Sequence, residues 1–207
     1  MSRVMTGFTE LDTQLGPIEP GMFILIEAKE EAYPTLLLHI ISYNVTLQGI
    51  KVIYVLVNDI ADEYREMMTR LGYTLTPLEE RGEWLYVEVE DVNKGWKACR
   101  ELCEKGMFIV IDSLTPPKID VNALKEIREY EAILVLRINH EVTPYEELVL
   151  LERLAHMIVR LHVERLGRRV TRRLEVTKFK RTLRRDIDLA YVVSDTGITM
   201  EALTRVG

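Results

Sequence analysis

The sequence predicts an α/β fold of three layers, in which a mostly parallel central sheet lies between helices and is extended by C-terminal antiparallel strands. Three observations point there. Short runs rich in Ile and Val alternate with helix-length segments through the first three quarters of the chain. Those runs are apolar at nearly every position, the pattern of strands covered on both faces. Beyond about residue 156 the helical segments stop and strand-like segments follow one another directly.

Taken in order, strands are expected at 22–27, 52–57, 108–111 and 132–138, with helices at 35–47, 62–71, 94–104, 121–130 and 145–154. Pro34 stands where the first of these helices begins, a position that suits its locked φ and missing N–H. Segments 157–163, 170–179 and 189–193 read as antiparallel strands, with Leu166-Gly167 supplying a turn. No linker or repeat interrupts the 207 residues, of which 47% are hydrophobic, so a single domain spanning 1–207 is expected. No apolar run approaches the roughly 18 residues of a membrane span. The opening MSRVMTGFTELD lacks the basic-then-apolar pattern of an export signal, and two cysteines are too few for a stapled secreted scaffold, so a cytoplasmic setting is expected. Only Gln14 and Gln48 represent glutamine while Glu, Lys and Arg abound, the direction of heat adaptation.

Charge is unevenly spread. Residues 164–186 carry a net +7 and the rest of the chain −13. Such asymmetry marks an interaction surface for an acidic partner, for nucleic acid, or for a neighbouring copy. Cys99 and Cys103, one helical turn apart, and Trp84 and Trp96 read as core residues. The four histidines, His39, His140, His156 and His162, show no metal-ligand spacing, and no nucleophile elbow occurs, so no metal or covalent catalyst is expected.

Open α/β sheets bind ligands beyond the C-terminal ends of their strands, here the loops after Ile26, Val57, Ile111 and Ile138. The segments flanking them carry a family likeness. TGFTELDTQLGPIEPGMFILIEA, KVIYVLVNDIADEYREMMTRLGY, MFIVIDSLT and the stretch from AHMIVRLHV to TGITM resemble, in this order, the RecA-like ATPases of the KaiC/RadA branch, archaeal type. The likeness runs from Thr6 to Met200 and implies a RecA-like fold, a nucleotide site at the strand ends, and assembly into rings or filaments.

Laid on the family pattern G-x-x-x-x-G-K-[ST], residues 28–35 read Ala-Lys-Glu-Glu-Ala-Tyr-Pro-Thr, and only Thr35 matches. Tyr33 replaces a glycine and Pro34 the phosphate-binding lysine, removing a cation and a backbone donor together. A non-glycine forced into the left-handed region costs about 1–2 kcal/mol, and a glutamate about 5 Å from a phosphate adds on the order of 3 kcal/mol of repulsion at an effective dielectric near 20. Lys29 could supply a substitute cation, though from the start of the loop. After the second strand, where the family places paired acids, stand Asn58 and Asp59; Asp59 is either a remnant carboxylate or an acid favoured by the following helix. Asp112 and Ser113 match the magnesium-side strand, where Asp112 is expected to accept hydrogen bonds from its neighbours instead. The family's K-x-R, which reaches a neighbouring subunit's nucleotide, is matched by Lys178 and Lys180, followed by Arg181.

The expectation is therefore a non-catalytic RecA/KaiC-like domain, a pseudo-ATPase without a cofactor. It would serve as an assembly or regulatory module, with a homo- or hetero-oligomer of RecA/KaiC-like subunits as its setting. Two other readings stay open: an ATPase with a rearranged phosphate loop, and a sequence-independent DNA or RNA binder using Arg168, Arg169, Arg172 and Arg173.

Overall fold

A computed structural model describes residues 4–113, 119–167, 169–179 and 187–202. Its elements run α1 (Thr9–Leu15), β1 (Phe23–Ala28), α2 (Pro34–Leu47), β2 (Val52–Val57), α3 (Ala61–Arg70), α4 (Thr76–Glu80), β3 (Trp84–Val89), α5 (Val92–Leu102) and β4 (Phe108–Asp112). They continue with α6 (Val121–Glu129), β5 (Ile133–Ile138), α7 (Tyr145–Leu154), β6 (Met157–Leu166), β7 (Arg169–Phe179), β8 (Ile187–Ser194) and β9 (Gly197–Ala202). The strands form one sheet in the order β3-β2-β4-β5-β1-β6-β7-β8-β9. From β3 to β6 every pairing is parallel; from β6 to β9 every pairing is antiparallel.

Strand period two divides the apolar residues between two faces. Ile24, Ile26, Val52, Tyr54, Leu56 and Val110 join one core with α1 to α4, while Leu25, Ile53, Val55, Ile109, Ile111 and Leu136 join the other with α5 to α7. Because β1, β2, β4 and β5 are buried at every position, they show no alternation in the sequence. Trp84, Trp96, Cys99 and Cys103 are all buried in these cores, as expected of packing residues.

The TGFTELD segment has a structural cause. The Asp12 carboxylate accepts from the Thr6 N–H (2.7 Å), the Thr6 hydroxyl (2.8 Å) and the Gly7 N–H (2.9 Å), closing the turn into α1. Gly7 sits at φ +85, and a Cβ there would lie 2.1 Å from the Asn44 amide nitrogen, so no side chain fits.

Four elements were not anticipated from the sequence: α1, α4, the edge strand β3 and the closing strand β9. No described helix is long and apolar enough to cross a membrane.

Candidate functional site

The loop after β1 folds into a single turn of 3-10 helix, Glu30–Ala32, and runs through Tyr33 into α2. Tyr33 has φ 54 and ψ 47, the left-handed conformation that the replaced glycine would adopt freely. Pro34 occupies the first turn of α2, where its missing N–H leaves no broken bond. Tyr33 thus holds a left-handed conformation that costs a non-glycine residue strain. The ring of Tyr33 has a compensating contact, since the Arg172 guanidinium lies 5.0 Å from its centroid. Tyr33→Gly is expected to relieve about 1–2 kcal/mol of backbone strain and lose about 0.5–1 kcal/mol of stacking. A net gain below about 1.5 kcal/mol in urea denaturation is the expected result.

Below this loop, register places Ile26, Arg137 and Asp112 side by side on β1, β5 and β4. Arg137 is only 1% exposed. A guanidinium stays protonated at any working pH, so its burial demands counter-charge. Two carboxylates supply it: Asp112, at 3.2 Å, and Glu30, which reaches down from the loop to Nη2. Asp112 also accepts from the Tyr54 hydroxyl (3.0 Å) and from the Thr35 side chain. Burial pushes the Asp112 carboxyl up to about 6; the Thr35 and Tyr54 hydroxyls pull it down and the nearby Asp59 charge pushes it further up.

Thr35 and Asp59 therefore lie near Asp112, and Ser113 follows Asp112 as a buried residue. Asp59 is held by its own neighbours, accepting from the Ile60 N–H (2.9 Å) and from the Tyr64 hydroxyl. It does not cap α3, whose N-cap is Ile60, so the helix-favouring role has no capping bond behind it. Lys29, the candidate replacement cation, turns outward to Glu141 at 2.5 Å.

Among the described residues of the basic hairpin, three arginines hold partners within the chain. Arg172 Nε donates to the Glu31 carbonyl (3.0 Å), Arg165 pairs with the Glu31 carboxylate (3.3 Å), and Arg173 pairs with Asp188 and with Glu164 (3.7 Å). Arg169 begins β7 and is exposed. Lys178 lies on β7 opposite Ile158, its side chain outside the described residues, as are Arg168, Lys180 and Arg181 altogether.

Two participants escaped the sequence reading. Arg137 is one: a cation within the apolar run AILVLRI was a visible signal, since a charge in a fully buried strand must have partners. His39 is the other. It is fully buried on α2 and stacks on Tyr54 (4.0 Å between centroids) and Tyr64 (4.7 Å), with Trp84 and Tyr86 beside them. Its Nδ1 lies 2.8 Å from the Thr35 carbonyl, which can only accept, so Nδ1 carries the proton. Burial pushes its pKa down to about 3.

These features define an α/β protein of the RecA/KaiC-like fold. The solved structures similar to it include the flagellar accessory protein FlaH from Methanocaldococcus jannaschii, 20% identical with a TM-score of 0.78, and the KaiC-like protein PH0186 from Pyrococcus horikoshii OT3, 16% identical with a TM-score of 0.77. Each comparison covers 97% of this chain and 99% of the other. No family model matches the sequence, and no curated protein does.

The fold implies a nucleoside triphosphate with magnesium at the strand ends, but the residues present do not fit that pair. The loop carries Glu30 and Glu31 and has no lysine where α2 begins, and the buried cation beneath it is already paired with Glu30 and Asp112. No group of three or more His, Cys, Asp or Glu among the described residues is placed to hold a metal.

Proposed function

We propose that this protein is a non-hydrolysing RecA/KaiC-like domain, a pseudo-ATPase that works as an assembly or regulatory module. The observation that carries this is the Glu30–Arg137–Asp112 cluster, in which the chain's own carboxylates take up the buried cation beneath the loop. Three further features support it: Pro34 in place of a lysine, Tyr33 in a glycine's conformation, and Lys29 committed to Glu141. With chemistry absent, what the fold offers is surface, and the basic hairpin against an otherwise acidic chain supplies charge complementarity between copies or with a related subunit.

A nucleic-acid role for the hairpin is less well supported, because Arg172 and Arg173 would have to leave the partners they hold. A phosphate-release assay with ATP or GTP and magnesium is expected to show no turnover above buffer, and light scattering is expected to show a defined assembly. Measurable hydrolysis abolished by Asp112→Asn would overturn the non-catalytic reading; a strict monomer at high concentration, alone and with candidate subunits, would overturn the assembly role.

A further inference from the structure

We infer that the cavity between α6 and the starts of β1 and β5 binds a small carboxylic acid with an apolar body, its carboxylate held by Lys125 and Arg128. This cavity lies at the N-terminal ends of β1 and β5, the opposite end of the sheet from the loop after β1, and does not depend on the pseudo-ATPase reading. Its volume is about 180 Å³, more than ten times the roughly 10–15 Å³ that one water requires. Its walls are built from Phe23, Leu124, Ile127, Leu134 and Leu154, whose side chains offer water no hydrogen bonds. Apolar space of this size is filled well by an apolar group and poorly by solvent.

Two cations stand at its edge, and no carboxylate lines it. Lys125 and Arg128 are exposed residues three apart on α6, so they share one side of that helix. The Arg128 stem runs beside Gly21 at the entry to β1, where a Cβ would lie 3.7 Å from its Cγ. Most lysines and arginines among the described residues are committed to carboxylates of the chain, as Lys51, Arg100 and Lys105 are on neighbouring elements. Lys125 and Arg128 form no such pair among the described residues, and both line this one cavity. In a chain with 33 acidic residues against 27 basic ones, two cations left without a carboxylate are placed to accept one from outside. The hollow is also preformed. The His156 backbone N–H donates to the Phe23 carbonyl (2.8 Å), and its Nδ1 accepts from the Phe23 N–H (3.0 Å), which ties the starts of β1 and β6 together at the cavity wall. An inorganic anion would have to give up hydration to apolar walls. An acid of about ten non-hydrogen atoms satisfies both walls and rim.

NMR titration of 3-phenylpropanoate into the full chain tests this, with its uncharged isostere 3-phenylpropanamide and inorganic phosphate as comparisons. The acid is expected to bind saturably with a millimolar or lower Kd, moving the methyl resonances of Leu124, Ile127, Leu134 and Leu154. The amide and phosphate are each expected to bind at least tenfold more weakly. Lys125→Met/Arg128→Met, at exposed positions, is expected to fold as wild type does and to lose at least tenfold in affinity for the acid. Leu124→Trp, which fills the hollow, is expected to abolish binding; circular dichroism checks the folding of both variants, and the double variant carries the test should Leu124→Trp not fold. The inference is overturned by the absence of saturable shifts at millimolar acid, by equal affinity for acid and amide, by phosphate binding as tightly as the acid, or by undiminished binding to the folded double variant.

Discussion

Arg137→Met is expected to destabilise the protein by about 3–5 kcal/mol, the usual cost of removing one partner from a buried ion pair. Asp112 is the reason. It is 6% exposed, its carboxylate faces Arg137 at 3.2 Å, and Tyr54 and Thr35 cannot neutralise it. For a chain of this size such a loss corresponds to a fall in Tm of roughly 10 °C. Adding Asp112→Asn to Arg137→Met is expected to recover part of it, because the unpaired charge goes with the cation. Glu30→Gln, by contrast, is expected to cost less than about 1 kcal/mol, since its side chain is more than half exposed and solvent can replace the partner. Urea denaturation of the three variants and wild type checks the ranking. A loss below 1 kcal/mol in Arg137→Met would show that the cluster does not depend on its cation.

The second large effect is acid sensitivity, and it belongs to His39. Its pKa is pushed down to about 3 in the folded state, against 6.5 ordinarily, so between these values the unfolded chain binds more protons. Stability from this group is therefore fully present above about pH 6.5 and is lost as pH falls toward 3. Over the part of that window from pH 6.5 to 4 the loss approaches about 3 kcal/mol at 1.36 kcal/mol per unit. Asp112 acts in the opposite sense, since its folded pKa is raised. Its contribution is present below about 4 and is lost as pH rises through about 6. The two partly cancel in wild type, so the expected signature is a difference: His39→Phe, keeping the stack on Tyr54 and Tyr64, should gain about 3 kcal/mol relative to wild type between pH 6.5 and 4. Parallel stability-against-pH curves for the two proteins would contradict a neutral, buried His39.

The order of strands and helices was legible because β1, β2, β4 and β5 are covered on both faces and so read as unbroken apolar runs. β3 was not, for the complementary reason. As an edge strand it buries Trp84 but exposes Leu85 and Glu88, and WLYVEV carries too short a pattern to stand out. α4, five residues opened by Thr76-Pro77, is below the length at which helical periodicity shows.

At the site, Thr35, Asp59 and Asp112 could be located because each lies at or just beyond the C-terminal end of a strand whose position was clear. What filled the site could not. The partners of Arg137 come from β4 and from a loop more than a hundred residues earlier, and no local pattern links Glu30 to Arg137. The use of Arg172 and Arg165 to hold down Tyr33 and Glu31 is equally non-local, arising where β7 and β6 lie against the loop after β1. Long charged side chains commit to partners only once the fold exists, so the sequence shows a basic run and leaves its use open.

On the proposed reading, residues 28–35 and the cluster beneath them exclude a nucleotide. Thermal unfolding with and without millimolar ATP and magnesium tests it most directly, because a ligand that binds only the folded state at 100 times its Kd adds about 2.7 kcal/mol. For a chain of this length that would raise Tm by roughly 5–10 °C. No shift is the expected result for wild type; a rise of several degrees that vanishes when Thr35 and Asp112 are replaced would contradict it.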